Sequence, residues 1–155
     1  MLFGKKSEMS EHYIDEINIT PAGPNDLSLK PKPASTILLI RDSQESIEVF
    51  MIKRAAATNF GNAWVFPGGK VDVEDMHHSE ENSYLQAAIR ECFEESGVLI
   101  AQNNSGIIFS PDNQGDLDSL KKYQKKINDR KLNFHNFLDE LNLKPAFSKL
   151  NFFSH

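Results

Sequence analysis

The stretch from Ser83 to Ser96 constrains this chain more than any other, because it reads as helix both along its length and at its end. Leu85, Ala88, Ile89 and Cys92 recur at i, i+3, i+4 and i+7 and form one apolar face. Gly97 stands where a left-handed residue stops a helix. On a different face, Glu91, Glu94 and Glu95 stand at i, i+3 and i+4. Three carboxylates within one turn repel each other. Two of them also lie in the last turn, where the helix dipole favours cations. A hard divalent cation would relieve both conflicts, since Mg²⁺ takes carboxylate and water oxygens. A solvated acidic face is the plainer meaning of a glutamate run, so the flanking residues have to decide.

Upstream, Thr36 to Ile40 is an apolar, β-branched run and Ile47 to Lys53 a second, with a polar hairpin loop predicted from Asp42 to Ser46. Asn59 to Asn62 is turn-like. Ala63 to Phe66 predicts a third strand, stopped by the Pro67-Gly68-Gly69 turn, whose glycines suit a flexible backbone. Residues 70–82 are polar and acidic and predict a loop. Val98 to Ala101 predicts a strand and Ile107 to Phe109 a short one. Two helical stripes follow, Leu117, Leu120, Gln124 and Ile127, then Phe134, Phe137, Leu138 and Leu141, with Pro145 ending the second helix. Residues 1–33 hold Pro21, Pro24, Pro31 and Pro33 and predict an irregular N-terminal extension; residues 34–155 form one domain. Tyr13, Ile14, Ile17 and Ile19 could pack on that domain or on a partner.

Composition excludes several classes. A net charge of -5 leaves no basic footprint for nucleic acid. The single cysteine, Cys92, allows no intrachain disulfide. No N-terminal apolar run suggests a signal peptide, and none approaches a bilayer span. A cytoplasmic protein with no membrane partner is expected.

Around the three glutamates the string Arg90-Glu91-Cys92-Phe93-Glu94-Glu95-Ser96-Gly97-Val98 matches REUxEExGU, with U a bulky apolar residue, and a Phe66-Pro67-Gly68-Gly69 turn precedes it. This combination resembles the Nudix hydrolase family. The resemblance implies an α/β/α sandwich with a mixed sheet. It also implies Mg²⁺ or Mn²⁺ held on this helix, and hydrolysis of a nucleoside diphosphate linked to another moiety. The family pattern is Gx5Ex7REUxEExGU. Counting back from Gly97, its first glycine falls at Met76, whereas the chain has Gly69, so seven residues are inserted. The pattern's first glutamate falls at Asn82, with Glu80 and Glu81 out of register, which leaves the partner of Arg90 open. Trp64 to Gly69 and Ala88 to Leu99 look like the branch that includes a peroxisomal coenzyme A diphosphatase.

By that resemblance Glu91, Glu94 and Glu95 are the metal ligands, with the carbonyl of Gly69 able to join them. Glu91 is also a candidate base, and Arg90 braces the site. Gly68, Arg54 and Lys70 flank it and are candidate substrate contacts. Cys92 reads as a small buried hydrophobe rather than a nucleophile. His77 and His78 read as surface loop residues. Trp64 and Phe66 could stack on a base, but alternating strand aromatics are more often core. Two other functions compete with the enzyme. One is a Nudix domain that binds a nucleotide or ADP-ribose without turnover. The other is a helical interaction protein, which explains neither the strand runs nor Pro67-Gly68-Gly69.

The family sandwich needs further strands and a closing helix after the box. Here two helical stretches follow, and Phe147, Leu150, Phe152 and Phe153 crowd an unusually apolar ending. A sheet truncated at the C-terminus would expose a strand edge and apolar surface. The expectation is either a shortened product of doubtful activity or a homodimer that covers the gap. Size-exclusion chromatography with thermal melting checks it. A dimer or a broad melt is expected, and a monomer that melts cooperatively and hydrolyses substrate contradicts it.

Overall fold

A computed structural model describes residues 32–44, 46–56, 61–76 and 79–154. The expected extension up to residue 31, the start of the turn at residues 59–60, and His77 and His78 lie outside the described residues. Among the described residues eight short strands pair antiparallel in twos: β1 (Ala34–Thr36) with β6 (Gly68–Lys70), β2 (Ile40–Asp42) with β3 (Ile47–Val49), β4 (Ile52–Lys53) with β5 (Trp64–Val65), and β7 (Ala101–Gln102) with β8 (Lys144–Pro145).

The first apolar run changes partner midway, which is why it divides into β1 and β2. Ser35 faces Gly69. The Ile37 N–H still donates to the Pro67 carbonyl at 2.9 Å. From Leu39 onward the second run takes over, with the Phe50 N–H donating to the Leu39 carbonyl at 2.9 Å and Ile40 facing Val49. The predicted hairpin loop is there, closed by Asp42 facing Ile47.

Helix α1 (Glu80–Ser96) starts three residues earlier than its apolar periodicity suggested, because Ser79 caps it by accepting from the Asn82 N–H. It ends as expected, on left-handed Gly97 with φ 76°. Its burial is wider than one stripe. Ala88 and Cys92 pack with Ile37, whereas Ile89 and Phe93 enter a second cluster with Leu120, Ile127, Phe134, Phe137 and Leu138. Leu85 is only half-buried. The helix thus lies between the β1–β6 pair and two later helices, α2 (Gln114–Asn128) and α3 (Phe134–Glu140).

Phe93 stacks on Phe137 with ring centroids 4.8 Å apart, and Phe134 closes the trio. This apolar contact fixes the end of α1 that carries the glutamates. Gln124 adds a polar clamp, donating to the Phe93 and Glu94 carbonyls at 3.0 Å each, and Asn128 donates to Glu94 at 3.2 Å. The Glu94 carbonyl is one that a helix end leaves unpaired, whereas the Phe93 carbonyl also accepts the Gly97 N–H at 2.8 Å. Gln124, read from sequence as a stripe residue, is this clamp.

Pro145 does not end α3. That helix stops at Glu140, with Asn142 at a positive φ of 53°, and Pro145 sits in β8 facing Ala101. Of the expected strand Val98 to Ala101, only Ala101 pairs, together with Gln102 just beyond it, and of the expected strand Ile107 to Phe109 only Ile108 makes an isolated bridge, to Gln102. Among the described residues no helix is long and apolar enough to cross a membrane.

Phe137 is fully buried in the aromatic trio. Phe137→Ala should therefore cost about 3–5 kcal/mol of unfolding free energy, read from the urea midpoint. A loss below about 1 kcal/mol would mean that the trio does not hold α1 in place.

Candidate active site

Arg90 is the centre of the acidic face and is only 2% exposed. Its partner comes from the inserted stretch. A single helical turn, Val73–Asp75, brings in Asp75, which is 1% exposed. Arg90 Nε donates to Asp75 Oδ1 at 3.0 Å and Nη2 to Oδ2 at 2.9 Å, a two-pronged pairing. Nη2 also donates to the Lys70 carbonyl at 2.8 Å. Asp75 in turn accepts the Asp72 N–H at 2.8 Å. Residues 70–82, expected as a plain loop, are thus partly an ordered support, and Asp75 fills the place that Glu80 and Glu81 could not reach; both of those are exposed.

The remaining face of the guanidinium turns to the glutamates. Nη1 donates to Glu91 Oε1 at 3.1 Å and to Glu94 Oε1 at 3.2 Å. Burial opposes the charged form of Arg90, but the hydrogen bonds and charge of Asp75, with Glu91 and Glu94, outweigh it and raise its pKa. Burial is also the largest influence on Glu91 and Glu94 and holds both carboxyls above the ordinary value of 4.5, with Arg90 pulling the other way. Glu74 and Asp72, again from the inserted stretch, push Glu94 further up. Glu95 is exposed and accepts the Gly68 N–H at 3.0 Å.

Gly68 and Gly69 are strand residues, not a flexible turn. Positive φ among described glycines occurs only at Gly97 and Gly106. What the pair requires is the absence of a side chain. A Cβ on Gly69 would overlap the Glu91 carboxylate, and one on Gly68 would overlap the backbone of Ser35 and Thr36. The strand therefore lies directly against the acidic face.

Among the described residues, no three His, Cys, Asp or Glu side chains form a ready metal cage. Mg²⁺ rarely uses one, since it binds through one or two carboxylates with water and substrate phosphates. The donors present suit that mode. Glu91 and Glu94 offer hard carboxylate oxygens that share a single cation, Arg90, and Glu74 Oε2 is buried without a hydrogen-bond partner.

A cleft of about 400 Å³ opens beside Glu95 and Gly68, with Met51, Arg54, Trp64 and Phe66 in its lining. Arg54 lines the same cleft as Glu95. Lys70 is not in that lining; it serves Arg90 through its carbonyl. Trp64, expected in the core, is 50% exposed. Cys92 is buried, and desolvation pushes its thiol up to about 11, which suits a packing role.

Sequence reasoning missed Asp72, Glu74 and Asp75. Their signal was three acids close together in an insertion beside an arginine that had lost its expected partner.

A model of the NUDIX domain family matches residues 30–141. A Caenorhabditis elegans protein named "Putative nudix hydrolase 7" is 40% identical over 89 residues, covering 57% of this chain. The match spans 28% of that protein's length. The crystal structure of a NUDIX hydrolase from Alicyclobacillus acidocaldarius superposes with a TM-score of 0.56 at 22% identity, over 76% of this chain and 58% of the other, a likeness of fold.

The raised carboxyls have a consequence for stability. A group whose folded pKa is raised holds its proton more tightly in the folded chain. Its contribution is complete below the ordinary value of 4.5 and is lost as pH rises through the raised one. In metal-free buffer at neutral pH, Glu91→Gln should therefore be more stable than wild type, with the gap closing as pH falls below 4.5. Thermal melts across pH check this. A variant less stable than wild type at neutral pH contradicts the desolvated site.

Proposed function

The chain belongs to the NUDIX domain family, and from that premise we propose that it hydrolyses the P–O–P bond of a nucleoside diphosphate linked to another moiety. The observation that carries this reading is the brace of Arg90 by Asp75, which holds Glu91 and Glu94 beside Gly69 while Glu95 borders an open cleft.

In this reading Glu91, Glu94 and Glu95 hold Mg²⁺ or Mn²⁺, with the Gly69 carbonyl as a further donor. Such a cation, when bound, neutralises phosphate charge and lowers the pKa of the attacking water. The chain's own residues do the rest. Arg90 fixes the two carboxylates without leaving its buried socket. Glu91, its carboxyl raised by burial, is suited to take a proton from water. Gly68 and Gly69 let the Glu91 carboxylate and the neighbouring strand pack directly against β6, and Arg54 meets a phosphate oxygen. Positioning and charge stabilisation supply most of the rate. Coenzyme A is one member of the substrate class, on the strength of the residues around the box.

One observation favours a second reading. Nη1 of Arg90 already engages both Glu91 and Glu94 and competes with a cation for them, which suits a domain that binds a nucleotide or ADP-ribose without turnover. Assays of coenzyme A, ADP-ribose, NADH and dinucleoside polyphosphates, with and without Mg²⁺ and Mn²⁺, separate the two. Metal-dependent cleavage of at least one substrate is expected; binding with no cleavage of any supports the second reading. Glu94→Gln and Glu95→Gln should each lower turnover by about two orders of magnitude, with circular dichroism unchanged. Full turnover in both variants removes these residues from the site.

A further inference from the structure

The cleft beside the acidic face has a wall that the reaction at phosphate does not use. Trp64 is a large aromatic left half exposed, and it lines the cleft with Arg54 and Phe66. Single exposed apolar residues are ordinary. This one differs in its setting, because a cation stands in the same cavity and a carboxylate of the acidic face borders it. Strand pairing holds the two residues together. Lys53 faces Trp64 across β4 and β5, and the Arg54 N–H donates to the Ala63 carbonyl at 3.0 Å, so neither sits on a wandering loop tip. Arg54 makes no ion pair among the described residues, which leaves its charge for a ligand. At the other end, Glu95 is held to Gly68 by the 3.0 Å hydrogen bond. The volume, about 400 Å³, lies within the range of small-molecule sites.

We propose that this cleft is the base-binding subsite, in which an aromatic nucleobase lies against Trp64 and its phosphates pass Arg54 toward Glu95. A flat π face and a planar cation in one cavity match a molecule that joins an aromatic ring to phosphate. The inference rests on the proposed function, whose substrate it extends from the phosphates to the base. Trp64 and Arg54 thereby set specificity, and the acidic face handles the reacting phosphorus.

Trp64 is the chain's only tryptophan, so its emission reports the cleft without any turnover. The probes are the methylene analogue of ADP, which has a base and cannot be cleaved between its phosphates, and methylenediphosphonate, which has none, both with Mg²⁺. The ADP analogue should quench Trp64 saturably, and methylenediphosphonate should not. By equilibrium dialysis, Trp64→Leu should weaken binding of the ADP analogue about tenfold or more, the scale of one lost base–aromatic stack, and Trp64→Phe should restore most of it. Arg54→Gln should weaken both probes. Circular dichroism confirms that each variant is folded. Equal quenching by the two probes, or Trp64→Leu binding the ADP analogue as tightly as wild type, overturns the subsite. Hydrolysis of nucleotides without base-dependent quenching overturns it too and leaves the proposed reaction standing. Quenching by the ADP analogue with no hydrolysis of any substrate upholds the subsite and removes the reaction.

Discussion

The site depends on one buried ion pair. Arg90 is a charge taken almost wholly out of water, and such a charge is tolerated only where partners satisfy it. Asp75 supplies two oxygens, the Lys70 carbonyl a third, and Glu91 and Glu94 take the remaining edge. Removing one partner from a buried pair typically costs about 3–5 kcal/mol, because the other is left uncompensated. Fold and site are thus tied together. The same guanidinium that pins the inserted turn to α1 also sets the positions of two carboxylates on the acidic face.

The rest of the architecture supports that helix from its other sides. The aromatic trio of Phe93, Phe134 and Phe137 anchors its C-terminal half, and Gln124 and Asn128 occupy carbonyls near Glu94. Donors at that end offset part of the conflict between an acidic last turn and the helix dipole. The β1–β6 pair closes the remaining side, with glycines where any side chain would strike the acidic face or the neighbouring strand. Supports that fix the helix in one position are what a preorganised electrostatic site needs.

Much of this was legible in the sequence, in a specific way. Periodicity and Gly97 located α1, and the i, i+3, i+4 spacing put Glu91, Glu94 and Glu95 on one face. The hairpin loop before Ile47 was readable from its polar residues. Contacts between distant segments were not readable. Asp75 meets Arg90 from an insertion that has no periodicity of its own, so its cluster of acids was visible but not which of them reaches Arg90. Pro67-Gly68-Gly69 resembles a turn by composition, whereas its glycines answer to a steric demand from Glu91 and Thr36. Trp64 lies in a two-residue strand, too short for alternation to say which face is covered. Pro145 looked like a helix breaker, but α3 had already ended at Glu140, and β8 is a two-residue edge strand paired only with β7, where proline is tolerated.

The central claim is that the acidic face held by Arg90 and Asp75 is a divalent-cation site. Thermal unfolding of wild type and the Glu91→Gln/Glu94→Gln double variant, with and without Mn²⁺, tests it without a substrate. A ligand that binds only the folded chain stabilises it by about 2.7 kcal/mol at a hundredfold excess over Kd. The account predicts a rise in Tm with Mn²⁺ for wild type and none for the double variant. An equal rise in both would place the ion elsewhere and contradict it.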